Sequence, residues 1–177
     1  MSTKYISHYS IFIALAVITG YLINFPIFPQ VPFLVYDPGH VFLLIAAFKF
    51  GPRAGMLMTL VYALIFAIIT GHGGPYGALM NFISTSAFVL ISSWIYLKYH
   101  NRKGAIIGLV LGFLFMTIIM IPANLIITPL FLGVGKEDII EILSFIILFN
   151  LIKGIISSIL TLLVYKKISL FLKQQGI

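Results

Sequence analysis

From Ile142 to Val164 the chain is a hydrophobic run whose one ionisable side chain is Lys153. At about 1.5 Å per residue, a helix over that run crosses the roughly 30 Å hydrocarbon core of a bilayer. Lys153 lies twelve residues past Glu141 and thirteen before Lys166, which puts each flank about 18 Å away. A lysine stem of roughly 6 Å cannot carry the ammonium to either surface. A charge at that depth costs at least about 2.5 kcal/mol and faces a cavity or a partner. Asn150 precedes it by three residues and shares its helix face. The run therefore demands a membrane helix that holds something polar.

Composition agrees. The 177 residues are 61% hydrophobic and 8% charged, against roughly 25% charged in soluble domains. The apolar runs are continuous rather than alternating, which predicts helices and not a barrel. The expected class is an all-α integral membrane protein, with residues 1–177 forming a single transmembrane domain. Cysteine is absent, so disulfides, thiol chemistry and Cys-based metal sites are excluded. The first apolar run carries no small-residue cleavage site and reads as a retained helix.

Six spans are expected. The first covers Ser7 to Asn24. Residues Phe25 to Gly39 follow, a hydrophobic loop with Pro26, Pro29, Pro32 and Pro38 that no regular helix can include. The second helix, Val41 to Phe50, is only half a bilayer long, and a short, Pro/Gly-interrupted segment marks a transporter binding site. The third runs from Arg53 to Ile69, the fourth from Tyr76 to Tyr99, and the fifth from Gly104 to Ile127. After a loop, the sixth runs from Ile139 to Val164 and a short basic tail ends the chain.

The net charge of +7 invites a nucleic-acid reading, but the placement of the charges answers it. Lys4, Lys49, Arg53, Lys98, Arg102, Lys103, Lys166, Lys167 and Lys173 all fall at one set of helix ends. Lys136 and the acids Asp37, Glu137, Asp138 and Glu141 fall at the other. This is the positive-inside pattern of a protein with both termini in the cytoplasm, with some attraction to anionic lipid. No nucleic-acid partner is expected.

The polar residues then gather in the outer half. Asn124 comes late in the fifth helix, Asn81 and Met80 start the fourth, and Asn150 and Lys153 lie under two irregular loops. Phe33, Tyr36 and Tyr76 are expected to line the pocket between them. Asparagine offers a donor and an acceptor side by side, and lysine offers donors only. Asn124, Asn150 and Lys153 suit a ligand with several carbonyl oxygens and an imide or amide edge; Met and aromatics suit a flat ring. Asp37 suits ligand hydroxyls. The competing readings are plain: Asn124 and Asn150 as interhelical glue, Asn81 as a packing contact, Asp37 as a turn residue. His40 and His72 are isolated loop residues without metal-site spacing, and the Gly-rich turn at 71–74 lacks a phosphate-loop pattern. No catalytic constellation appears.

Several stretches resemble a known family. The short helices, the hydrophobic first loop and the link Lys49-Phe50-Gly51-Pro52-Arg53-Ala54-Gly55 resemble the S-components of energy-coupling-factor (ECF) vitamin importers. Within them, Ile121-Pro122-Ala123-Asn124-Leu125-Ile126-Ile127-Thr128-Pro129-Leu130 and Phe149-Asn150-Leu151-Ile152-Lys153-Gly154 are similar to the riboflavin-specific branch. Gly74 to Phe82 resembles the start of the family's fourth helix. The resemblance implies a subunit in the bacterial plasma membrane that captures riboflavin, or FMN, from outside. It implies a transmembrane T-component and two ATP-binding subunits as partners, no resident cofactor and no enzymatic activity of its own. It implies flavin contacts by Asn124, Asn150 and Lys153. It also implies a small-residue docking face on the first helix, for which this chain offers Ser10-xxx-Ala14 and Ala16-xxx-Gly20. Tyr36-Asp37-Pro38-Gly39-His40 replaces the branch's acidic, serine-containing stretch. Another vitamin or precursor, such as pantothenate or a pyrimidine, and a ligand-free structural role remain alternatives at this point.

Overall fold

The computed structural model describes residues 3–174, with side chains from Tyr5 to Tyr165. The side chains of Lys4, Lys166, Lys167 and Lys173, counted in the charge pattern above, lie outside the described residues. Among the described residues seven helices form: α1 Thr3–Leu22, α2 Gly39–Phe50, α3 Pro52–Thr70, α4 Gly74–Lys98, α5 Arg102–Leu132, α6 Lys136–Glu141 and α7 Leu143–Gln174. Five of them are long and apolar enough to cross a membrane, and α2 is a shorter apolar helix beside them. The protein is a multi-pass membrane protein.

Helix boundaries follow local chemistry. Gly51 separates α2 from α3 with φ 90°, a conformation that L side chains avoid, and Pro52 opens α3 where its missing N–H costs nothing. Gly71 ends α3 in the left-handed region. Asn101 caps α5, its side chain accepting from the Gly104 N–H at 2.8 Å.

Three expectations change. The fifth helix does not stop at Ile127 but continues through Pro122 and Pro129 to Leu132. Proline is tolerated inside membrane helices because neighbouring helices and hydroxyl side chains re-satisfy the freed backbone. The expected sixth helix is two: Asp138 Oδ2 accepts from the Gly135 N–H at 2.8 Å and starts α6, and the chain breaks at Ile142 before α7. The basic tail is largely helical, since α7 runs to Gln174.

The proline-rich loop also gains order. Phe25–Pro26 (β1) and Val35–Tyr36 (β2) pair antiparallel, Phe25 opposite Tyr36. Val31 and Leu34 of this flap pack with Ile139, Ile146 and Phe149, and Phe28 meets Phe145 edge-on with centroids 5.3 Å apart. Each apolar side chain so removed from water contributes about 1.5–3 kcal/mol. The flap is thus fastened to α6 and the start of α7. Farther along α7, Gly154 has no room for a side chain, because a Cβ there would overlap the Phe113 ring of α5. That close approach fixes how Lys153, one residue earlier, meets the bundle interior.

Candidate functional site

A cavity of about 320 Å³ opens at the flap end of the bundle, within the size range of small-molecule sites. Residues from the flap, α3, α4, α5 and α7 line it, among them Phe33, Phe66, Tyr76, Met80 and Phe131. Five of the polar groups on its wall are Asp37, Asn81, Asn124, Asn150 and Lys153. The structure thus brings together six of the seven binding residues expected from sequence, counting Met80.

Tyr36 is the exception. Successive strand residues point to opposite faces, so Val35 and Asp37 line the cavity while Tyr36 turns away. Its ring packs on Phe25 at 5.8 Å and its hydroxyl faces Ser157.

On the α5–α7 side each asparagine is held by its own helix. Asn124 Nδ2 donates to the Met120 carbonyl at 2.8 Å, and Asn124 Oδ1 accepts from Thr128 at 2.9 Å. Asn150 Nδ2 donates to the Ile146 carbonyl at 2.8 Å. Asn150 Oδ1 is buried without a hydrogen-bond partner, a state that costs about 1–3 kcal/mol unless something supplies a donor. Lys153 is 5% exposed. Its ammonium donates to Ser84 Oγ over a long 3.4 Å and lies 5.9 Å from the Phe149 ring centroid. Among the described residues no carboxylate lies within 4 Å of it. An open acceptor and an under-coordinated cation therefore stand one turn apart on α7.

The flap–α4 side is built differently. Asp37 Oδ1 accepts from the Tyr62 hydroxyl at 2.5 Å and from the Gly39 N–H at 3.0 Å. His40 is buried, with Nδ1 2.9 Å from the Asp37 carbonyl oxygen and 3.4 Å from Asp37 Oδ1, and Nε2 3.1 Å from Asn81 Oδ1. Thr85 also donates to Asn81 Oδ1, at 2.9 Å. Far from an isolated loop residue, His40 is the hinge pin between two lining side chains. Tyr62, Ser84 and Thr128 likewise escaped the sequence reading, and His72 reaches the cavity rim. The one sequence signal for His40 is its spacing three past Asp37 at a helix start.

The expected docking residues divide. Ser10 and Ala14 are exposed on α1. Ala16 and Gly20 are buried against α2 and α3, where a Cβ on Gly20 would lie 2.8 Å from the Tyr62 hydroxyl. Positions 14 and 16 are about 200° apart around a helix, so the two pairs cannot serve one surface. The Ala16-xxx-Gly20 pair is an internal contact, and a bulky residue there would disturb the fold rather than a docking face. Among the described residues no cluster of three or more His, Cys, Asp or Glu could hold a metal.

A membrane bundle with a cavity of this chemistry defines a membrane-embedded solute-binding protein. Residues 4–165 match the family described as ECF transporter, substrate-specific component, and the chain belongs to that family. It is 34% identical over 159 residues to the riboflavin transporter RibU of Staphylococcus aureus strain TCH60, covering 86% of this chain and 84% of that one. It is 31% identical over 165 residues to the riboflavin transporter FmnP of Bacillus subtilis strain 168, covering 87% and 86%. A solved structure of the S component of a bacterial ECF transporter superposes with a TM-score of 0.86 at 32% identity, over 98% of this chain and 99% of that one.

Proposed function

We propose that this chain is the riboflavin-binding S-component of an ECF importer. The observation that carries the reading is the pairing on α7 of the unpartnered Asn150 Oδ1 with the Lys153 ammonium inside the cavity. The flavin ring ends in an imide, an N–H donor between two carbonyl acceptors. Asn150 Oδ1 accepts from that N–H, and Lys153 donates to a flanking carbonyl. Phe33, Phe66, Tyr76, Phe131 and Met80 supply apolar and aromatic surface for a flat ring system. The naming of two relatives as riboflavin transporters supports the same choice.

Riboflavin is cargo here, not a resident cofactor, and FMN is a second candidate cargo. The cavity faces the cell exterior, and the flap closes over it. The chain crosses the plasma membrane six times with both termini in the cytoplasm, α2 completing its crossing with the flap; the one-sided distribution of Lys and Arg supports that orientation. A T-component and two ATP-binding subunits supply the energy, so this chain performs no hydrolysis. Titrating the detergent-purified protein with riboflavin tests the reading. Flavin fluorescence is expected to be quenched to a sharp one-to-one endpoint at submicromolar protein. An absence of quenching at micromolar flavin would remove the proposal.

A further inference from the structure

The α5–α7 face of the cavity accounts for a ring with an imide edge; Asp37 and Asn81, on another face, remain. Both are tied from behind by residues outside the cavity lining. Asp37 Oδ1 is occupied by Tyr62 and the Gly39 N–H, which leaves Oδ2 as the oxygen available to a ligand. Asn81 Oδ1 accepts from Thr85 and lies 3.1 Å from His40 Nε2; the Asn81 Nδ2 amide also meets the Tyr62 hydroxyl, which leaves its second N–H to donate. A carboxylate oxygen that accepts and an amide that donates, on one cavity wall, suit a chain of vicinal hydroxyls, since each hydroxyl both donates and accepts.

Two glycines make room for the tie. A Cβ on Gly20 of α1 would lie 2.8 Å from the Tyr62 hydroxyl and 3.1 Å from Asp37 Oδ1. A Cβ on Gly39 of α2 would lie 2.8 Å and 2.9 Å from the same atoms. The Tyr62–Asp37 bond is therefore built by α1, α2 and α3 together. His40 extends it to α4, its ring 5.9 Å from that of Tyr62 in an edge-to-face arrangement.

We propose that His40 and Tyr62 are positioning residues that select for the polyhydroxyl part of the ligand, by holding Asp37 Oδ2 and Asn81 Nδ2 toward it. This rests on the riboflavin reading above. Neither residue touches ligand; each acts through the side chain it fixes. The bare ring is read by Asn150 and Lys153 and is indifferent to them.

The test compares riboflavin with lumiflavin, the same ring carrying a methyl group in place of the hydroxylated chain, by fluorescence titration of the purified full chain. Wild-type protein is expected to prefer riboflavin. In His40→Leu the riboflavin Kd is expected to rise about tenfold, as befits losing one well-aligned polar contact, while the lumiflavin Kd changes less than about threefold. His40→Gln, which keeps a hydrogen-bonding amide where Nε2 stood, is expected to restore the preference. His40→Asn, which mimics only Nδ1, is not. Should His40→Leu fail to fold, Tyr62→Phe asks the same question of Asp37, and the same selective loss is expected. Equal weakening of both flavins, or no change in either, would show a merely structural role and overturn the proposal. Failure of the riboflavin reading looks different: wild-type protein would bind neither flavin, and the proposal would fall with it.

Discussion

Two faces of one cavity solve the same problem in opposite ways. On the α5–α7 face the asparagines satisfy their spare hydrogen-bonding groups within their own helix, four residues away, as in Asn124 to Met120 and Asn150 to Ile146. On the flap–α4 face local partners are joined by partners from other elements, 25 residues away for Tyr62 and Asp37 and 41 for His40 and Asn81. The first arrangement leaves each side chain locally fixed and one face free for ligand. The second makes several elements share one polar knot. Removing a side chain from the first face should therefore cost affinity without cost to the fold, whereas disturbing the second should cost both.

Lys153→Met gives the largest expected separation. Losing a charge-assisted contact to the flavin should weaken binding about 10- to 100-fold. Thermal stability of the ligand-free protein should change little, because Lys153 has no carboxylate within 4 Å to leave unpaired and burying its ammonium is itself costly. A lowered melting temperature with unchanged riboflavin affinity would make Lys153 a structural residue.

Gly20→Ala strikes the second face from behind. The added methyl group meets the Tyr62 hydroxyl and Asp37, and overpacking of this kind costs about 1–3 kcal/mol. A drop in thermal melting temperature accompanied by weaker riboflavin binding is expected; a variant as stable and as tight as wild type would show that the knot is loose. The smallest effect on binding belongs to Ala14→Trp, on the exposed side of α1. Its riboflavin affinity should stay within about twofold of wild type, while ATP-driven uptake with the partner subunits falls. Uptake at the wild-type rate would free that face of any docking role.

The contrast between the faces also explains what the sequence could and could not disclose. Asn150 and Lys153 were legible because helix geometry alone places residues three apart on one face, and because a lysine twelve residues from either flank has nowhere else to go. The knot was not legible: its bonds link Asp37, His40, Tyr62 and Asn81 across three helices and a loop, and no local spacing encodes that. Tyr36 was misread because a proline-rich loop gave no hint of the short strand that turns it away. The Ala16-xxx-Gly20 pair was misread as a docking motif because small residues permit close approach without saying what approaches. The helix boundaries failed at Pro129 and Ile142, where tertiary packing carries one helix through a proline and splits another without one.

The central claim is that Asn150 and Lys153 read the imide edge of a flavin, and N3-methylriboflavin tests it most directly. Methylation removes the one N–H that Asn150 Oδ1 can accept and leaves ring, carbonyls and hydroxyl chain in place. Side-by-side titration of the purified protein should show the methylated flavin binding at least about tenfold more weakly than riboflavin, with that gap largely lost in Asn150→Leu. Equal affinity of wild-type protein for the two flavins would contradict the account.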